Sequence, residues 1–88
     1  MDQVAWVAKL TNDGFRGVEV HTFPPNTEFP EHEHSTVAVH VILDGDITLI
    51  AGADKKTLRA GDYFEIPSGT VHSAKVGPHG CTFIAGDK

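Results

Sequence analysis

Glycine and proline interrupt this chain at short intervals, and their spacing constrains the fold more than any other feature. Nine glycines and five prolines stand among 88 residues, and no interval between them is long enough for a comfortable core helix. The intervening runs are rich in Val, Ile, Thr and Phe, which favours strands. They cover residues 4–10, 17–23, 36–43, 46–51, 63–66, 71–76 and 81–85. Seven or eight short strands predict an all-β fold, an antiparallel sandwich or barrel.

The best hairpin signal in the chain is Asp44-Gly45, which separates two apolar runs at residues 41–43 and 47–49. Glycine accepts the positive φ that a tight two-residue turn requires. We therefore expect a hairpin at this dipeptide that fixes the register of the two strands beside it.

The run at residues 36–43 is apolar on both of its faces, because alternate side chains of a strand point to opposite sides. A strand without a polar face is usually covered on both sides. A chain with few helices has little of its own to supply the second cover, so we predict a homodimer through the sheet. Two packed sheets within one monomer would explain part of the same pattern. The first face carries Thr36, Ala38, His40 and Ile42, and the second carries Val37, Val39, Val41 and Leu43.

Size, charge and cysteine content limit the class of protein. Residues 1–88 are expected to form a single domain. The net charge of −5 and the scattered basic residues argue against nucleic acid as a partner, and no apolar stretch is long enough to cross a membrane. No targeting signal is visible, so we expect a cytoplasmic protein. The single cysteine, Cys81, excludes an internal disulfide and a cysteine zinc cluster and is expected to be a small buried hydrophobe.

Six histidines supply nitrogen ligands for a metal. His32 and His34 stand two residues apart in an extended segment, so both imidazoles can lie on one face and reach one ion. Further along, Gly61 is followed after five residues by Pro67-Ser68-Gly69 and, two residues later, by His72. His21 and His79 fall outside these patterns, and we expect them at surface or turn positions.

With these motifs the sequence resembles the cupin superfamily, over about residues 26–76. The second cupin motif matches from Gly61 to His72 without a gap, and the first matches at His32, His34 and its closing glycine, Gly45. The resemblance implies an antiparallel jelly-roll β-barrel, also called a double-stranded β-helix. It also implies an internal metal held by two first-motif histidines, a first-motif glutamate and the second-motif histidine.

Three positions depart from the family pattern. Ala38 stands where the family glutamate is expected, so the carboxylate ligand is missing. Asn26 replaces the first glycine, a mild change because Asn also tolerates the left-handed conformation. Val76 replaces the terminal asparagine. The remaining metal ligands are His32, His34 and His72.

His40 lies two residues beyond Ala38 and shares its face of the strand. Three roles are open to it. It is a candidate fourth metal ligand, a candidate catalytic acid or base in the pocket, and a candidate donor to a buried backbone carbonyl.

An ion held by neutral imidazoles keeps its full charge and should attract an anionic small-molecule ligand such as an enolate, carboxylate or thiolate. This arrangement resembles the three-histidine dioxygenases among the cupins, with a divalent Fe, Zn, Ni, Mn or Cu as the cofactor. The resemblance therefore implies a metal-dependent small-molecule enzyme that acts on an anionic substrate, of dioxygenase type or of a related type. The alternative is a barrel that binds or senses a ligand or metal without catalysis. Because neutral imidazole is the binding form, we expect metal loss below about pH 6.

Overall fold

The computed structural model describes residues 1–88 and contains one helix and six antiparallel strands. Strand pairing follows the order β1-β6-β3-β4, with β2 on β6 and β5 on β3. The predicted all-β antiparallel fold is confirmed, although the sheet does not close into a complete barrel. The elements are α1 (Gln3–Asn12), β1 (Arg16–Phe23), β2 (Glu28–His32), β3 (Ala38–Ala51), β4 (Asp54–Arg59), β5 (Tyr63–Ile66) and β6 (His72–Asp87).

Two long strands, β3 and β6, pair along their whole length and carry the other four. The first part of β3 pairs with β5 and its last part with β4. The last part of β6 pairs with β1 and its first part with β2. Both long strands bend, so the sheet folds over itself into two layers. Ten buried side chains form the core of this fold: Ala38, Ile42, Ile47, Leu49, Leu58, Ile66, Ala74, Val76, Cys81 and Phe83.

The bends lie at glycines rather than at hairpins. Gly45 has a φ of 73° and Gly80 a φ of 82°, values that favour glycine over residues with a side chain. Gly45 pairs with Cys81, and the register shifts on each side of Gly45. The predicted hairpin at Asp44-Gly45 is therefore wrong, because the strand bends there and continues. The hairpin that joins β3 to β4 turns at Gly52 and Ala53.

Two further runs predicted as separate strands, residues 71–76 and 81–85, are parts of β6. It pairs with β3 on both sides of the Gly-Pro-His-Gly segment, and that segment forms an irregularity within the strand, with no register partner on β3. His79, expected in a turn, is therefore an exposed strand residue. Strand β4 is not among the predicted strands, because Leu58 is its only buried side chain and its sequence lacks an apolar run.

Residues 4–10 form most of α1, so the predicted strand there is wrong. Asp2 caps the helix by accepting a hydrogen bond from the Ala5 backbone N–H at 2.8 Å, and Lys9 pairs with Asp13 at 2.8 Å. No helix here is long and apolar enough to cross a membrane.

The helix covers the second apolar face of β3, on which the homodimer prediction was based. Leu10 and Phe15 are buried in a separate cluster with Val39, Val41 and Ile84. The premise that the chain cannot cover this face itself is therefore wrong. The homodimer stays a prediction, but the apolar second face of β3 no longer supports it.

Candidate metal centre

Three histidines meet in this fold, two from neighbouring strands and one from the segment after β2. His32 is the last residue of β2, His34 follows two residues later, and His72 is the first residue of β6. His32 and His72 are register partners on these antiparallel strands. Strand pairing thus brings together two ligands that lie 40 residues apart in the sequence.

The three imidazoles offer ligand atoms that all lie within 4.8 Å of one another. Their ring centroids are 4.3 Å apart for His32 and His72, 4.9 Å for His32 and His34, and 5.6 Å for His34 and His72. His72 is only 4% exposed, whereas His34 is exposed to solvent. The cluster therefore has a buried side and an open side, and it could hold a metal ion.

Two of these rings are oriented by backbone carbonyls. The Nδ1 of His32 lies 2.7 Å from the Pro30 oxygen, and the Nδ1 of His72 lies 2.9 Å from the Thr70 oxygen. A carbonyl oxygen only accepts, so each Nδ1 carries the proton and donates it. The lone pair then lies on Nε2, the usual arrangement for metal-binding histidines. The donor set therefore fits a transition metal that accepts imidazole nitrogen.

A cavity of about 70 Å³ adjoins the three imidazoles. Side chains of Phe29, Ile47, Leu49, Ala74 and Phe83 form its apolar wall. His40 lines the same cavity, with its ring centroid 5.3 Å from that of Phe83. The three-histidine group does not include His40. The structure thus places His40 beside the cluster, on the inward face where the alternation predicted it.

The ring of His40 has an unusual environment. Its Nδ1 is buried without a hydrogen-bond partner, so a bond from this atom to a buried carbonyl, one of the three roles considered, is not observed. Burial lowers the pKa of His40 to about 4, and the neighbouring imidazoles of His72, His34, His21 and His32 add to the effect. His40 is therefore neutral near pH 7 and can either donate or accept a hydrogen bond.

No carboxylate joins the histidine group. Ala38 is 7% exposed and belongs to the core, and Glu33 is exposed. The site is therefore an all-imidazole cluster. Cys81 is buried in the core as predicted, and its pKa rises to about 11 because burial, followed by Asp46 and Asp44, disfavours the thiolate.

His21 is expected at a surface or turn position, but its side chain is only partly exposed. The His21 ring lies 5.9 Å from the ring of Phe83. His21 is the register partner of Phe83, and it shares the parity of Phe23 along β1. That parity was the available signal for an inward orientation.

A family model described as "Cupin domain" matches residues 19–79. No curated protein matches this chain significantly. Among solved structures, a cupin-2 domain containing protein from Shewanella frigidimarina shows 25% identity and a TM-score of 0.69, and the match covers 77% of this chain and 65% of that chain. An uncharacterized conserved protein with a double-stranded beta-helix domain from Klebsiella pneumoniae shows 25% identity and a TM-score of 0.70. That match covers 80% of this chain and 64% of the other.

A DMSP lyase from Ruegeria pomeroyi has 23% identity and a TM-score of 0.70, over 78% of this chain and 36% of that chain. At this identity the likeness concerns the fold alone. The chain thus covers between 36% and 65% of the lengths of these three proteins.

Proposed function

Because this chain belongs to the cupin domain family, we propose that its histidine cluster is the metal centre of a small-molecule enzyme of dioxygenase type. His32, His34 and His72 are the ligands. The observation that carries the proposal is the convergence of three imidazoles, with ligand atoms within 4.8 Å, beside a cavity with an apolar wall.

The charge of the site favours an anionic substrate. Three neutral imidazoles leave the charge of a divalent ion uncompensated, since no carboxylate joins the cluster. An enolate, carboxylate, thiolate or phenolate supplies the missing negative charge. The metal is a divalent Fe, Zn, Ni, Mn or Cu, because imidazole suits most of these ions and does not select among them.

Held by His32, His34 and His72, a redox-active ion such as iron would supply a Lewis acid for the anionic group and the redox chemistry that dioxygen needs. Both oxygen atoms enter the organic product in a dioxygenation, so no external reductant is needed. The cavity wall, with Phe29, Ile47 and Phe83, shields the buried side of the site from bulk water.

His40 serves this site in one of two ways. As a catalytic residue, its unpartnered Nδ1 hydrogen-bonds the substrate, because the neutral ring has both a donor and an acceptor nitrogen. A pKa of about 4 makes this ring a weak base near pH 7. As a fourth ligand, the ring would rotate toward the cluster. Metal affinity separates these roles, since a His40→Gln variant keeps full affinity only in the first case.

The test is oxygen uptake by iron-loaded protein with a panel of a 1,3-dicarbonyl, a thiol and a catechol. We expect uptake with at least one of them and none from the zinc-loaded protein. The control is iron-treated His34→Ala, which lacks an exposed ligand and should be inactive without loss of the fold.

The second candidate function is a barrel that binds or senses a ligand without catalysis. The small size of the histidine cavity, about 70 Å³, favours it, because such a space holds few atoms besides a metal. If iron-loaded protein consumed no oxygen with any member of the panel, this second function would replace the first. For either function, we propose a homodimer as the assembly.

A further inference from the structure

A second pocket, of about 250 Å³, is lined by residues of β3, β4 and β5. Strands β4 and β5 each pair with β3 but not with one another, and this pocket lies in the gap between them. Part of its wall is apolar and includes Leu49, Phe64 and Ile66. His72 also lines it, so the pocket reaches from solvent to the buried ligand of the histidine cluster.

Lys56 supplies a positive charge at this pocket. It is the register partner of Leu49, a core residue, so its side chain lies on the inner face of β4. Its Nζ lies 5.6 Å from the centroid of the Phe64 ring, which holds the ammonium group over the apolar wall. The only ion pair in the protein joins Lys9 and Asp13, so Lys56 has no carboxylate partner of its own.

The other charged residues of the lining limit the charge of an occupant. Asp54 adds one negative charge, whereas Lys55, the register partner of Ile50, lies on the opposite face of β4 by the same alternation. Lys56 is therefore the one cation on the inner face, and a single negative charge complements its ammonium group. A second one would meet Asp54 without a further cation to balance it.

We infer that the gap between β4 and β5 binds a small organic monocarboxylate with an apolar body, which it directs toward His72. The carboxylate pairs with the ammonium group of Lys56, and the apolar body covers Phe64, Leu49 and Ile66. The opposite end of the molecule points to the histidine cluster. This inference rests on the proposed function, because it identifies the substrate class of that metal site.

The test is a ¹⁵N–¹H NMR titration of the zinc-loaded protein. The probe is 3-phenylpropionate, and its neutral amide is the matched control ligand. We expect the shifts to cluster at Leu49, Phe64 and Ile66. The acid should bind about two- to fivefold more tightly than the amide, the range that one partly exposed ion pair provides. Lys56→Gln should remove this difference and Lys56→Arg should keep it. Lys75→Gln makes the same charge change at an exposed position of β6, outside this pocket, and should alter affinity by less than about twofold.

Equal affinity of the acid and the amide, or an acid affinity that does not change in Lys56→Gln, would overturn the inference. So would the absence of saturable shifts up to about 10 mM probe. Zinc content is measured on the same samples and should be equal in all four proteins. Zinc uptake without Lys56-dependent binding refutes only this inference. Lys56-dependent binding by a protein that takes up no metal refutes the metal centre and leaves the carboxylate pocket standing.

Discussion

The imidazoles of His32 and His72 face each other across the β2–β6 ladder, with ring centroids 4.3 Å apart. Each ring donates its Nδ1 proton to a carbonyl oxygen two residues before it in the chain, that of Pro30 or Thr70. Both Nε2 lone pairs are thereby free for a ligand. A metal bound here also links the end of β2 to the start of β6, so its occupancy should affect both chemistry and stability.

Replacement of His72 by Gln should remove metal binding. Loss of a residue that only orients a ligand already costs about 10–100-fold in metal affinity, so loss of a ligand should cost at least that much. Elemental analysis after dialysis against a competing chelator measures it. His79→Gln, at an exposed position outside the cluster, is the control and should retain the wild-type content. Equal metal in the two variants would refute the ligand assignment.

Because His72 is buried, its replacement can also disturb the fold. His34→Ala separates the two effects, since His34 is exposed. We expect its circular dichroism and its unfolding midpoint without metal to match the wild type. Added zinc should raise the midpoint only in the wild type, because a ligand bound to the native state stabilises it by mass action.

Metal retention should depend on pH in the range where imidazoles titrate. A protonated imidazole has no lone pair to offer, and its ordinary pKa is about 6.5. We expect occupancy to fall as the pH drops below about 6, measured by equilibrium dialysis across a series of buffers. Full occupancy at about pH 5 would argue against a site made only of histidines.

His40 predicts a pH dependence of folding that does not require metal. Its pKa is lowered from 6.5 to about 4 in the native state, first by burial, so below about pH 6.5 the unfolded chain binds a proton that the native protein does not. Stability should therefore fall from about pH 6.5 toward pH 4, by up to about 3 kcal/mol. Above this window the His40 ring is neutral in both states and contributes no pH dependence.

Urea denaturation of chelator-treated protein near pH 7 and near pH 4.5 measures this effect. The drop in the free energy of unfolding should be smaller in His40→Gln, because that side chain does not titrate. His79→Gln is the control and should keep the wild-type drop, since it removes an exposed histidine outside the pocket and leaves His40 in place. An unchanged drop in His40→Gln would show that His40 is not the group responsible.

The ligand cluster could be predicted from the sequence because short motifs carry it. A two-residue spacing in an extended segment places His32 and His34 together, and the alternation of a strand turns His40 to the same interior. The register of β2 on β6 brings His72 to them. From the sequence, His72 could be joined to the other two only through the resemblance to a family. The pocket at Lys56 could not be predicted, because it exists where β4 and β5 fail to pair.

The wrong predictions about the fold share one physical cause. Tertiary contacts decide between conformations that the local sequence allows equally. Residues 4–10 contain three β-branched or aromatic residues, yet they form a helix because Leu10 fits against Val39, Val41 and Ile84. The cap at Asp2 was the local sign of that helix. Likewise, a glycine such as Gly45 marks either a turn or a bend in a continuous strand, and its partner Cys81 on β6 decides for the bend.

The bend of β3 provides a direct test of this architecture. A side chain at Gly45 would collide with the carbonyl oxygen of Gly80, and its φ of 73° is strained for alanine. At Gly52, in the β3–β4 turn, φ is 61° but nothing lies within 4 Å of an added Cβ. Gly52→Ala should therefore cost only the conformational strain, about 1 kcal/mol.

Gly45→Ala adds the backbone collision to that strain, and we expect it to cost at least about 3 kcal/mol or to prevent folding. Urea denaturation of the two variants measures the difference between a bend and a turn. A two-residue hairpin at Asp44-Gly45 would instead place Gly45 in an open loop, where alanine would cost as little as at Gly52. Similar losses in the two variants would thus contradict the continuous strand and the folding of the sheet over its own core.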